Sequence, residues 1–253
     1  MREDRYAKQL ARLEEIQHRS EERLIAQHRR VDERFARARQ RVMARESDPS
    51  AEQQRIVDAA LELLDEVGLN ELSLRKIATK LDFKAPALYW YFKSKGVLID
   101  YMAEAILQTE FKHIKPRPDN LPWQDWLVDV CKRLSQAMHS RRDGARIVAG
   151  AHLYPAVTLL RIYEATIETL INAGLDPQRA YLITTTAILL TFGRVIEEQS
   201  SLGSEDAASE ALKWIQNEFP RVADSIKRRT EDVKHGYDEF EESLRLFIGY
   251  PQR

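Results

Sequence analysis

The run LYWYF at residues 88 to 92 sets five large apolar side chains in a row, in a chain where 31% of residues are charged. A helix turns about 100° per residue, so five consecutive side chains cannot share one stripe. Some anchor a core while others face outward beside Lys84, Lys93 and Lys95. The flanking residues say how. Behind Ser73, a good capping residue, Leu74, Ile77, Ala78 and Leu81 recur at helical spacing. Asp82-Phe83-Lys84 breaks that pattern, and Pro86 suits the first turn of a new helix, where a missing N–H costs nothing. The spacing predicts a helix, a three-residue turn and a seven-residue helix from Ala85 to Tyr91. So short a helix is unstable alone, so Leu88 and Phe92, four apart, must hold it. Tyr89 then falls on the outer side, near Lys84, Ala85 and Lys93, and Trp90 is expected to pack against the domain.

Similar reasoning extends in both directions. Ile56, Ala60, Leu63, Leu64 and Val67 form one helical face, opened by the Ser50/Gln53 capping pair and closed by Gly68. Ser94 caps a further helix with Val97, Leu98, Tyr101, Met102, Ala105 and Ile106 inward. A proline-rich loop, KPRPDNLP, occupies residues 115 to 122. Beyond it, helices are expected from Trp123 to about Arg141, from about Ala145 to His152, and from Pro155 to Ala173. GLDP (174 to 177) stops one helix and starts the next, Tyr181 to Glu198, which is apolar enough to be central. Residues 200 to 210 read as a flexible connection. A last amphipathic helix, about Asp238 to Gly249, is expected to expose Phe240, Leu244, Phe247 and Ile248. No strand pattern is evident, so the fold class is all-α.

Helix, three-residue turn, helix are the dimensions of a helix-turn-helix, whose second helix enters a DNA major groove. The net charge of -1 hides an asymmetry. Residues 29 to 45 hold seven arginines against Asp32 and Glu33, and residues 71 to 95 hold six Lys/Arg against Glu71 and Asp82. A polyanion-binding end accounts for that concentration, and so do plain solvated helix faces. The single Cys131 rules out an intramolecular disulfide or a thiolate metal cluster. No apolar run approaches the roughly 20 residues of a membrane span, and no signal-peptide pattern opens the chain, so a cytoplasmic location without membrane contact is expected.

Residues 53 to 108 resemble the DNA-binding domain of the tetracycline-repressor (TetR) family of bacterial transcription regulators. The likeness is carried by AALELLDEVGLNELSLRKIATKL and PALYWYFKSKGVLID. It extends to the tetracycline repressors through WQDWL (123 to 127), RRDGA (141 to 145), GLDPQRA (174 to 180) and LLTFGRVIEEQ (189 to 199). Residues 1 to 49 fall outside it. The resemblance implies a helix-turn-helix domain over 50–98 and a ligand-binding and dimerisation domain over 99–253, and composition and charge add a basic helical extension over 1–49. Two departures stand out. The family's turn is normally Gly and an aliphatic residue, where this chain has Asp82-Phe83. The tetracycline repressors hold magnesium-tetracycline with histidines and polar groups, where this chain offers Phe111, Val130, Leu134 and Val148. Metals need oxygen or imidazole ligands, so no metal and no cofactor is expected.

The resemblance also assigns residues. Arg75 is the candidate base reader, since a guanidinium can grip guanine O6 and N7; pairing with Glu71 is its structural alternative. Ser73, Pro86 and the small Ala85 and Ala87 lie on the expected DNA side, and Tyr89, Tyr91, Lys93 and Lys95 suit phosphates, with Lys84 serving either purpose. Outside the resemblance, the arginine density of the extension gives one hypothesis, that Arg37, Arg39, Arg41 and Arg45 lie along phosphates or enter a minor groove, beside two others, a second dimerisation or packing element and a solvated helix. A mostly apolar effector pocket is implied at Phe111, Val130, Leu134, Val148, Tyr163, Thr166, Tyr181 and Thr184, with His152 and Glu197 orienting a hydrophobic small molecule. A homodimer and a near-palindromic double-stranded operator follow from the family's two-fold symmetry. Enzyme signatures such as G-x-S-x-G, a Walker loop or H-E-x-x-H are missing from the sequence. The other reading is a helical ligand-binding or coiled-coil interaction protein without operator-specific DNA binding.

Overall fold

In a computed structural model, the structure describes residues 51–114, 116–152, 156–200, 205–234 and 238–249. The arginine-rich extension, with Arg37, Arg39, Arg41 and Arg45, and the proposed cap Ser50 lie outside them. All regular structure among the described residues is helical: α1 (Ala51–Glu71), α2 (Leu74–Lys80), α3 (Ala85–Tyr91), α4 (Lys95–Phe111), α5 (Trp123–His139), α6 (Gly144–Ala149), α7 (Val157–Asn172), α8 (Pro177–Ser200), α9 (Glu205–Glu218), α10 (Pro220–Lys234) and α11 (Glu239–Phe247).

The helix-turn-helix forms with the dimensions the sequence predicts. Ser73 Oγ accepts the Lys76 N–H at 3.3 Å to cap α2, and Ser94 Oγ accepts the Val97 N–H at 3.2 Å to cap α4. Asp82 takes the left-handed φ of 56° that the turn requires in place of glycine, and the Phe83 N–H closes it on the Ala78 carbonyl at 2.8 Å. Leu88 and Phe92 are fully buried. Phe92 meets Tyr101 of α4 edge-on with ring centroids 5.3 Å apart, which fastens α3 to the following helix. Trp90 corrects the sequence reading. It is 89% exposed, because the face that carries Leu88 and Phe92 already fills the space between α3 and its neighbours.

One apolar cluster runs from Ile56 of α1 through α4, α5 and α6 to Val195 of α8, so the small N-terminal bundle and the larger body share a core. Gly144 begins α6 where a Cβ would stand 2.1 Å from the Met138 carbonyl oxygen, so only glycine permits this turn between α5 and α6. A second cluster joins Leu127, Val128 and Cys131 of α5 to Ala187 of α8 and Leu244 of α11. Leu244 is therefore buried rather than exposed, while Leu246 and Phe247 on the same helix face out. Nor is α8 covered all round: Tyr181, Leu182 and Leu189 are exposed. Residues 205 to 210, expected as loop, instead begin α9, and Pro220 opens α10 at the first-turn position proline favours. The edge-on pair Trp214–Phe219 bridges the α9–α10 junction.

Candidate functional site

The outer face of α3 gathers what the sequence separated. Tyr89, Trp90 and Tyr91 are all exposed, Pro86 is exposed, and Ala87 is half-buried. Ala85 is the first residue of the helix. Around them the basic residues fall into two groups. Lys76 pairs with Glu71 at 2.8 Å, and Lys80 with Glu66 and Glu62 at 2.7 and 3.2 Å, so these charges are spent within the bundle. Hydrogen bonding to Lys76 holds the Glu71 carboxyl below its ordinary range. Glu71 is thus taken by Lys76, and Arg75 stays exposed with no ion pair among the described residues. Lys84 and Lys93 are likewise exposed and unpaired there. Lys95 instead donates to the Leu69 carbonyl at 3.1 Å, tying the start of α4 to the end of α1, and Ser73 is occupied as a cap. The remaining free cations flank a helix that offers three aromatic faces, a surface with the groups to meet phosphates and base edges.

Behind this face, the turn between α5 and α6 grips the end of α1. Arg141 pairs with Asp65 at 2.6 Å, and the Arg142 N–H donates to the same carboxylate at 3.0 Å. Asp143, itself at a left-handed φ of 55°, accepts the Leu69 N–H at 2.8 Å. Further along, the chain after α6 returns to α4. Asp100, a buried carboxylate, accepts the His152 N–H at 2.9 Å and lies 3.3 Å from its Nδ1, while Glu104 accepts the Thr158 N–H and hydroxyl at 2.9 and 2.7 Å. Sequence spacing gives no sign of these contacts, whose partners are more than fifty residues apart.

The residues assigned to an effector pocket separate into three groups. Phe111, Val130, Leu134 and Val148 are buried together in the main core. Thr166 of α7 and Thr184 of α8 are buried; the Thr166 hydroxyl donates to the Ile162 carbonyl at 2.7 Å, whereas the Thr184 hydroxyl has no partner among the described residues. Tyr163 is half-buried, and burial followed by the nearby Tyr181 phenol pushes its pKa up. Of the other three, Tyr181 is exposed although it lies near Tyr163, and Glu197 and His152 are exposed too, the His152 side chain by 79%. Their surroundings are open because Tyr181 and Glu197 lie on outer faces of α8 and His152 follows α6 at the surface. A cavity of about 630 Å³ opens instead beside Phe111, between the end of α4, the loop after it, the start of α5 and α7. Cys131 is buried and its thiol pushed up to about 12 by desolvation, so it stays a neutral packing group.

Residues 56–102 match the family described as "Bacterial regulatory proteins, tetR family", and residues 115–249 match "Tetracyclin repressor-like, C-terminal domain". The chain is 38% identical over 152 residues to the tetracycline repressor protein class A from transposon 1721 of Escherichia coli, covering 60% of this chain and 68% of that protein. Against the class C tetracycline repressor of Escherichia coli it is 34% identical over 197 residues, covering 77% and 87%. Its fold is similar to that of a TetR variant from Acinetobacter baumannii AYE crystallised in complex with minocycline, with a TM-score of 0.61 and 30% identity over 78% of this chain and 90% of that one. With both of its parts matched at this coverage, the chain belongs to the TetR family of bacterial regulatory proteins, transcriptional repressors that bind DNA and are regulated by small-molecule ligands.

Proposed function

We propose that two copies of this chain bind a near-palindromic operator, with one α3 in each of two successive major-groove segments, and that a hydrophobic small molecule releases them. The observation that carries this reading is the outer face of α3, where Tyr89, Trp90 and Tyr91 stand among Arg75, Lys84 and Lys93, which have no ion pair among the described residues. Arg75 reads a base, Lys84, Lys93 and the tyrosines meet phosphates, and Ala87 lets the backbone come close. Lys95 contributes through the α1–α4 junction rather than as a free cation. The relatives are tetracycline repressors, but the buried apolar set Phe111, Val130, Leu134 and Val148 supports an effector without a metal. Release works by favouring the geometry in which the two α3 helices no longer match the operator, through α4, which joins α3 to the body. The chain acts in the cytoplasm, as a regulator rather than an enzyme.

Selection of genomic DNA fragments on the full-length protein tests this, followed by a salt titration of the best fragment with and without residues 1–49. A near-palindromic fragment bound by both proteins is expected. Each phosphate that Arg37, Arg39, Arg41 or Arg45 neutralises should steepen the log–log salt slope by about 0.9 in the full-length protein. Equal slopes would assign the extension to something other than DNA. No enrichment over competitor DNA would remove the operator reading and leave a helical ligand-binding protein.

A further inference from the structure

The cavity beside Phe111 differs in character from the apolar set buried behind it. Its floor is aromatic: Phe111 and Trp126 are both buried there, with the Arg133 guanidinium over one face of the Phe111 ring, 4.6 Å from its centroid. Its walls carry formal charges of both signs, but those charges are not equally available. Arg117 spends its guanidinium on the Leu121 and Pro118 carbonyls, at 2.5 and 3.4 Å, and Arg161 of α7 has a partner of its own. Lys112 at the end of α4 is the lining lysine, and it is exposed. Against it stand Glu164 and Glu168, one turn apart on the α7 wall, exposed like Lys112 and paired with no described residue, with Asp119 and His113 completing the titratable lining. Two like charges at that spacing repel, and a cation placed between them relieves the repulsion.

We infer that this cavity binds an amphipathic organic cation: an aromatic or aliphatic body against Phe111 and Trp126, and a protonated amine held by Glu164 and Glu168. Its volume, about 630 Å³, lies in the range of small-molecule sites, and its lining joins an apolar floor to a wall richer in polar and charged groups than most such sites, which suits an amphipathic ligand. The indole of Trp126 adds an electron-rich face suited to a cation. The site also has a route to the DNA face. Phe111 and Lys112 end α4, and the other end of α4 is fastened to α3 through Tyr101 and Phe92. This inference rests on the reading of the chain as a ligand-controlled regulator and names the ligand class for it.

The test titrates the full-length protein with two dyes that share a fluorophore, dansylcadaverine, which carries a primary ammonium, and dansylglycine, which carries a carboxylate. Dansylcadaverine is expected to bind at least about tenfold tighter, the scale of one charge-assisted hydrogen bond. The double variant Glu164→Gln with Glu168→Gln keeps the shape of the wall and should abolish that preference, while Glu242→Gln on α11, away from the cavity, should leave it intact. Equal affinities, tighter dansylglycine binding, a preference that survives the double variant, or no binding of either dye would each overturn the assignment. Operator binding by dye-free protein is measured on the same preparations. Its loss would sink the regulator reading whatever the dyes do, whereas intact operator binding without the charge preference sinks only the cavity assignment.

Discussion

Leu88 and Trp90 are two residues apart in one seven-residue helix, and their surroundings are opposite: Leu88 is fully buried, Trp90 almost fully exposed. Substitution should separate the two roles. Leu88→Ala removes a buried side chain from a helix too short to stand alone, and should cost about 2–5 kcal/mol of unfolding free energy in a urea titration. Trp90→Ala should stay within about 0.5 kcal/mol of the parent, yet weaken operator binding, because its ring is presented to whatever α3 meets. If Trp90→Ala destabilises as much as Leu88→Ala, its exposure here is not the solution state. Arg75 allows a sharper test of sequence reading. Because Lys76 already holds Glu71, Arg75→Ala should leave stability nearly unchanged, weaken operator binding by about 1–3 kcal/mol and relax the preference at one base pair per half-site. Uniform weakening over all sequences would make Arg75 a phosphate contact.

At the scale of elements, what was legible depended on how local the determinants are. The bounds of α3 follow from a turn, a proline and two anchors within ten residues, so the sequence predicts Ala85 to Tyr91 and the structure has it. The burial of Leu244 could not be read that way. An isolated amphipathic helix shows a stripe, and only its contact with Leu127, Val128 and Ala187 shows how much of the stripe is covered. The start of α9 was lost for another reason: Gly203 and the serines around it read as punctuation, while the helix formers after them carry few apolar residues. Nor does position along α8 tell that Tyr181 and Glu197 face outward. The docking of α11 is also electrostatic. Lys132 of α5 meets Asp238 and Glu241 at 2.9 and 2.8 Å, and Arg245 meets Asp125 at 2.8 Å. The hydrogen bond from Lys132, then that from Arg245, holds the Glu241 carboxyl below its ordinary 4.5. A carboxyl lowered by folding stabilises the fold fully above its ordinary value, and that contribution is lost as pH falls through the lowered one. The urea midpoint should therefore drop as pH falls below about 4.5, and drop less in Lys132→Met, where the main cause of the shift is gone. Equal drops in the two proteins would show that α11 is held by Leu244 and its apolar neighbours alone.

For the molecule as a whole, the proposed pairing of two copies needs an apolar surface on each. Tyr181, Leu182 and Leu189 of α8 and Leu246 and Phe247 of α11 are exposed, although both helices bury their other faces in the same second cluster. Exposed apolar residues scattered singly need no explanation, but several of them on two helices that pack together fit the surface that the proposed pairing requires. A second copy offers the matching patch, and pairing about a two-fold axis sets two α3 helices at a fixed separation. That separation is what a near-palindromic operator reads, since two half-sites one DNA turn apart are recognised together only by a linked pair. Leu182→Glu with Leu189→Glu should break the pairing without harming the fold, because neither side chain enters the core. Sedimentation is expected to give a dimer for the parent and a monomer for the variant, with far-UV circular dichroism unchanged. Operator affinity should then fall by far more than the Arg75 substitution costs, because the second α3 is lost and not one contact within it. A variant that stays dimeric would move the interface elsewhere. A monomeric variant that kept full operator affinity would show that one α3 suffices and that the two-fold reading of the operator is wrong.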